Sequence, residues 1–223
     1  MKKILLVTHH DLSDPGIISS LLHSKYLTCN INYKNLPLLK QSDIKEYTAI
    51  IIFGGKMSAN SKSRYIKNEY KFLSNAIKLK KTIIGICLGA QIIAKFYGSI
   101  IQKSPNKEVE IGYRNTKKID KSMINDRTKF LQFHNEGISI NSNMELLSSG
   151  NLFNVDAFKI KNKEVYGFQF HPEVTSKMIK NWYGNLKSID KGTDNLSKIL
   201  KDHKIYHKEN YFWLNKILNK IIK

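Results

Sequence analysis

Cysteine is almost missing from this sequence: 223 residues hold two, Cys29 and Cys87. A disulfide framework is excluded as the source of stability, and two thiols in unlike surroundings are expected to stay reduced in a cytoplasmic setting. Proline is scarce, at 4 residues, and no Pro/Gly-rich linker, repeat or low-complexity block divides the chain. Long apolar runs are absent. Met1-Lys2-Lys3 leads into Ile4 to Val7, which stops at Thr8-His9-His10, too short for a signal peptide or a membrane span. Arginine is sparse, with only Arg64, Arg114 and Arg127 among 37 basic residues; 18 acidic residues leave a formal charge of +19. Such a charge invites a polyanion. The lysines are scattered, however, and no recognition motif with interleaved aromatics accompanies them, so no specific nucleic acid is expected. A weaker role remains for the field, drawing in an anionic substrate or an acidic partner.

What is present is enough apolar residue, 41%, to close one sizeable core. The expectation is a single domain over 1–223, with a core at about 1–186 and a C-terminal helix at about 195–222. Lys2 to Thr8, Tyr26 to Tyr33, Thr48 to Phe53 and Thr82 to Ile86 read as strands. Helical spacing covers Pro15 to Lys25, Arg64 to Leu79 and Leu88 to Tyr97, the last closed by Gly98. Strands without polar faces, alternating with helices, predict an open, mostly parallel α/β sheet covered on both faces. Past residue 100 the strands shorten and alternate, at Glu108 to Ile119, Phe130 to Phe133, Val155 to Ile160 and Val165 to Phe170, which predicts antiparallel additions. Thr175 to Leu186 and Leu196 to Ile222 return to helical spacing, with Trp213, Ile217, Leu218 and Ile221 forming an apolar stripe.

Chemistry concentrates at Gly85-Ile86-Cys87-Leu88-Gly89, where a buried strand meets a helix. A sharp strand-to-helix turn strains its central residue and needs small neighbours, the logic of a nucleophile elbow with sulfur in place of oxygen. The helix starting at Leu88 sets partial positive charge beside the thiol and favours thiolate. A nucleophile needs a base, and the base needs an orienting group. His171 and Glu173 follow the Val165 to Phe170 strand, whose period of two sets both on one side with Pro172 turned away. An oxyanion needs donors: the N–H of Leu88 is one candidate and that of Gly55 the other. Gln91, one helical turn past Cys87, is expected to face the same pocket, where its amide could hydrogen-bond the substrate.

Gly85-Ile86-Cys87-Leu88-Gly89-Ala90-Gln91 together with Phe168-Gln169-Phe170-His171-Pro172-Glu173-Val174-Thr175 resembles the class I, triad-type glutamine amidotransferases. Within that superfamily the chain is similar to stand-alone relatives of the GMP synthase glutaminase domain. Phe53-Gly54-Gly55-Lys56-Met57-Ser58 resembles the family's oxyanion-loop segment, where proline often replaces Lys56. Glu110-Ile111-Gly112-Tyr113 and Phe133-His134-Asn135-Glu136 are similar to recurrent family segments, the second with Asn-Glu where Gly-Asp is usual. The resemblance runs from Ile4 to about Trp182. It implies a flavodoxin-like fold, glutamine as parent substrate and a Cys-His-Glu mechanism through a γ-glutamyl thioester. No cofactor or metal is implied, and the partner is either glutamine or a γ-glutamyl metabolite alone, or in addition a synthetase subunit that receives ammonia.

Plainer readings apply elsewhere. Cys29, inside a candidate strand, reads as a small hydrophobe. His134 reads equally as a substrate contact or a polar strand end. His9 and His10, adjacent and pointing apart, do not suggest metal ligation, and His203 with His207 reads as a solvated helix face. Two other functions stay open on the sequence: a non-catalytic binding module of the same fold, and a cysteine hydrolase with a different acyl group. The nitrogen acceptor and oligomeric state are not encoded in any motif.

Overall fold

Ile4 and Leu6 face one way along the first strand, and Leu5 and Val7 the other, yet all four are fully buried. A strand with apolar residues on both faces must be covered on both. In the computed structural model, which describes residues 1–9, 14–120, 123–124 and 129–222, it is. The chain runs β1 (Lys3–Thr8), α1 (Ile17–His23), β2 (Leu27–Asn32), a 3₁₀ segment (Tyr33–Leu38), α2 (Gln41–Lys45), β3 (Tyr47–Ile52), α3 (Arg64–Lys78), β4 (Thr82–Ile86) and α4 (Leu88–Phe96). It continues with β5 (Ile101–Gln102), β6 (Glu110–Asn115), β7 (Lys117–Lys118), β8 (Lys129–His134), β9 (Gly137–Ile138), β10 (Met144–Ser149), β11 (Ala157–Ile160), β12 (Val165–Phe168), α5 (Ser176–Gly184) and α6 (Leu196–Ile221).

Eight strands form the main sheet in the order β2-β1-β3-β4-β12-β11-β10-β7. The first five are parallel and the last three add on antiparallel. This is the expected flavodoxin-like α/β arrangement. One face carries Leu5, Val7, Ile50, Ile52 and Ile83 under Phe72, Leu73, Ile92 and Ile93 of α3 and α4. The other carries Ile4, Leu6, Ile51, Ile84 and Ile86 under Ile18 and Leu22 of α1 and the Trp213, Leu214, Ile217, Leu218 and Ile221 stripe of α6. Both faces therefore hold long-range apolar contact, which stabilises by about 1.5–3 kcal/mol per large side chain buried.

The later half departs from expectation in three places. The single strand over Glu108 to Ile119 is two: β6 pairs with β8 in a separate ribbon, while β7 joins β10 at the edge of the main sheet. Thr116 is the pivot, buried with its hydroxyl donating to Asp156 Oδ2 at 2.6 Å. The strand over Val165 to Phe170 ends at Phe168. Beyond it Gln169 N–H donates to the Asp156 carbonyl at 2.7 Å and His171 N–H to the Leu131 carbonyl at 2.8 Å, so the chain passes from the main sheet to the ribbon. Met144–Ser149 is a sheet strand that no alternation announced. Cys29 is half-buried rather than buried, and it and Cys87 are free thiols. Among the described residues no helix is long and apolar enough to cross a membrane.

Candidate active site

Cys87 sits at φ 49° and ψ −106°, a conformation that costs a residue with a side chain of order 1–3 kcal/mol and persists only where the surroundings enforce it. The enforcement is visible. Its N–H donates to the Phe168 carbonyl at 2.8 Å, continuing the β4–β12 ladder one residue past the strand. Its carbonyl accepts from Gln91 N–H at 3.0 Å, the first turn of α4. A side chain at Gly89 would strike the Ile52 carbonyl, and one at Gly85 would lie 2.6 Å from Ala90 N. The elbow is therefore a close packing of β3, β4 and α4 that admits only glycine at its flanks. The thiol makes no capping bond to the helix, and Cys87, though buried, lines a cavity at the carboxyl end of the sheet.

His171 faces it. The two side chains meet over Gly54: a β-carbon there would sit 2.9 Å from His171 Cε1, 3.8 Å from His171 Nε2 and 3.4 Å from Cys87 Cβ. Behind the ring, Nδ1 lies 2.8 Å from Glu173 Oε1, with both side chains almost fully buried. Burial opposes charge on the ring, but the Glu173 carboxylate and the Cys87 sulfur outweigh it and raise His171 to about 10. Glu173 is held in turn by α1. Gly16, at φ 60°, brings Ile17 N–H to the Glu173 carbonyl at 3.0 Å and leaves no space for a side chain of its own.

A cavity of about 550 Å³ opens over the thiol. Gly54, Gly55 and Leu88 line it with Cys87, and the Leu88 side chain lies against Gly55. Gln91 lines it too. Its amide nitrogen donates to the Glu136 carbonyl at 2.9 Å and to Gln169 Oε1 at 3.2 Å, so it braces the loop after β8. His134 is buried at the cavity edge, pushed down to about 3 chiefly by burial; Nδ1 donates to the Glu136 carbonyl at 3.0 Å, and Nε2 lies 2.9 Å from Gln132 Oε1 and 3.5 Å from Glu110 Oε2.

A profile of the family Glutamine amidotransferase class-I matches residues 14–187. The chain belongs to that family. A subunit of the glutamine-hydrolyzing GMP synthase of Methanococcus aeolicus is 32% identical over 154 residues, an overlap of 66% of this chain and 78% of that protein. The corresponding subunit from Methanobrevibacter smithii is 32% identical over 155 residues, covering 65% and 76%. The crystal structure of a glutamine amidotransferase from Thermotoga maritima superimposes with TM-score 0.87 at 20% identity, over 100% of this chain and 98% of that one. A glutamine amido transferase from Methylobacillus flagellatus does so at 0.87 and 18%, over 100% and 96%. These likenesses speak for the fold over the residues given, C-terminal helix included.

Other residues around the site escaped the sequence reading. His9 Nε2 lies 2.9 and 3.1 Å from the two Glu69 carboxylate oxygens, wholly buried beneath Gly55; His10 lies outside the described residues. A signal existed, since Glu69 falls on the apolar stripe of α3 between Ile66 and Leu73, where a charge needs a partner. Trp182 meets the His171 ring edge-on, centroids 4.7 Å apart, and carried no signal at all. His203 corrects the expectation of a solvated helix face. It is buried, with Nδ1 2.7 Å from the Tyr113 hydroxyl, because α6 lies over the β6–β8 ribbon. Among the described residues no cluster of three or more His, Cys, Asp or Glu side chains fits a metal ion.

Proposed function

We propose that this family member is a glutamine amidotransferase-type hydrolase that cleaves the γ-glutamyl amide of glutamine or of a γ-glutamyl derivative. The observation that carries the reading is the strained Cys87 facing an imidazole that Glu173 backs at 2.8 Å. Cys87 thiolate attacks the γ-carbonyl, and the oxyanion is received by the N–H groups of Leu88 and Gly55. His171, as imidazolium, gives its proton to the leaving nitrogen as the C–N bond breaks, and ammonia or an amine departs. Water then attacks the γ-glutamyl thioester with His171 as base, releasing glutamate and the thiolate. Glu173 holds the ring and its charge throughout. Gln91 and His134 are proposed as supports of the glutamyl subsite, acting through the Glu136 carbonyl they share. Residues 1–223 are read as one amidotransferase domain working in the cytoplasm.

A second version has the ammonia passed to a separate synthetase, and the relatives named as one subunit of a glutamine-hydrolyzing GMP synthase favour it. The test is glutamate release from glutamine by the isolated chain, alongside mass spectrometry of Cys87 after exposure to the glutamine-like electrophile 6-diazo-5-oxo-norleucine. Turnover and labelling, both lost in Cys87→Ala, are expected. A wild-type thiol that stays inert in both would return the chain to the non-catalytic module reading.

A further inference from the structure

The cavity over Cys87 is far larger than a primary amide needs, and its surplus lies in a definite direction. At about 550 Å³ it falls within the roughly 300–1,000 Å³ range that holds drug-sized molecules. With Cys87 as nucleophile and His171 as proton donor, the γ-carbonyl oxygen turns toward Gly55 and Leu88 and the leaving nitrogen turns toward His171. Whatever is attached to that nitrogen lies on the imidazole side. That side carries aromatic and aliphatic residues of the cavity. Trp182 of α5 stands edge-on to His171, Phe133 of β8 stands edge-on to Trp182 with centroids 5.5 Å apart, and Val109, Ile111 and Leu186 line the cavity with them, beside the amides of Asn181 and Asn185. Trp182 and Phe133 are only half-buried, so part of each ring faces the cavity. Ammonia would leave that surface uncovered.

The wall belongs to this chain and is fastened to it. Past Trp182 the chain crosses the mouth of the site, and Lys187, Ser188 and Asp190 also line the cavity. It is then laid along β6: Val109 N–H donates to the Lys191 carbonyl at 2.9 Å, and Asp194 N–H to the Ile111 carbonyl at 2.8 Å. Arg114 clamps it, donating to Asp194 Oδ2 at 2.5 Å and to the Gly192 carbonyl at 2.8 Å. The clamped residues Gly192 and Asp194 lie beyond residue 187, where the family profile ends, while Arg114, Phe133 and Trp182 lie within it. Charges on the lining carry both signs, Lys56 and Lys187 against Asp14, Glu136 and Asp190, so nothing favours a strongly charged leaving group.

Resting on the amidotransferase reading, we infer that the substrate is a γ-glutamyl amide whose nitrogen carries a neutral apolar substituent, received by Trp182 and Phe133. In the reaction the γ-glutamyl C–N bond breaks as the Cys87 C–S bond forms, the amine leaves with the His171 proton, and water cleaves the thioester to glutamate. No further reactant is needed.

The test compares kcat/KM for γ-L-glutamylbenzylamide and for L-glutamine on the full chain. A ratio of about ten or more in favour of the benzylamide is expected. Trp182→Ala and Phe133→Ala should each lower that ratio about five- to tenfold, on the scale of one aromatic contact. Trp182→Phe should restore most of it, which separates ring contact from misfolding. Preference for glutamine, or a ratio indifferent to both alanine variants, overturns the inference and leaves the amidotransferase reading standing. No turnover of either compound together with no labelling of Cys87 by 6-diazo-5-oxo-norleucine overturns both.

Discussion

At the scale of single residues, the site is a set of contacts that tolerate no extra atom. Gly89 packs directly on the Ile52 carbonyl, so Gly89→Ala must move α4 away from β3 and carry Cys87 with it. The expected result is a loss of about 2–4 kcal/mol in urea unfolding and a fall in Cys87 labelling rate, checked on the same preparation. The charge on His171 is equally local. Glu173 and Cys87 hold the ring near 10 against burial, so its proton stays in place across neutral pH and is lost as pH rises through that value. Removing the carboxylate removes the strongest of the raising influences. In Glu173→Gln the alkaline limb of glutamate release should therefore move down by about one pH unit or more, besides a drop in rate. An unmoved limb would mean that Glu173 does not set the charge of the ring.

At the scale of elements, the β6–β8 ribbon is the part that carries buried charge. Glu110 lies opposite His134 in the register, almost fully buried, and is raised to about 7 by burial first and by Asp156 second. Its folded-state affinity for a proton exceeds that of the unfolded chain. The resulting stability is fully present below about pH 4.5 and is lost as pH climbs through about 7. Glu110→Gln removes that dependence. The stability difference between variant and wild type should therefore shift in favour of the variant between about pH 5 and about pH 8, by on the order of 2 kcal/mol. Urea unfolding of both proteins at the two pH values checks it.

At the scale of the whole molecule, the surface repels itself. With 37 basic against 18 acidic residues, the folded chain holds a net +19 at closer quarters than the unfolded one. Added salt screens that repulsion within a Debye length of about 10 Å at 0.1 M. The melting temperature should rise between about 20 mM and about 200 mM sodium chloride. A flat or falling Tm would show that surface ion pairs such as Lys3–Glu46, Lys159–Glu164 and Lys198–Asp202, which salt weakens, outweigh the excess charge.

Local patterning was enough for the first half of the fold and for the elbow. The β1, β3 and β4 runs are apolar on both faces, which only a sheet covered twice can bury, and the stripes on α3 and α6 name their own inner faces. Gly85-Ile86-Cys87-Leu88-Gly89 is legible for the same reason: the steric demand of a tight turn acts between neighbours in the chain. What lay beyond reach depends on which strands meet. Nothing local ends a strand at Phe168. It ends because Gln169 and His171 find the Asp156 and Leu131 carbonyls, in segments that become neighbours only when the antiparallel strands and the ribbon have formed. The His9–Glu69 pair, the burial of His203 under Tyr113 and the aromatic wall beside His171 are likewise meetings of distant residues. Sequence alone determined that a cysteine sits on a bend with a histidine and a glutamate downstream, because those features are periodic or contiguous. Tertiary packing decided what surrounds them, and with it the size and lining of the cavity, because burial and hydrogen-bond satisfaction are settled between elements and not within them.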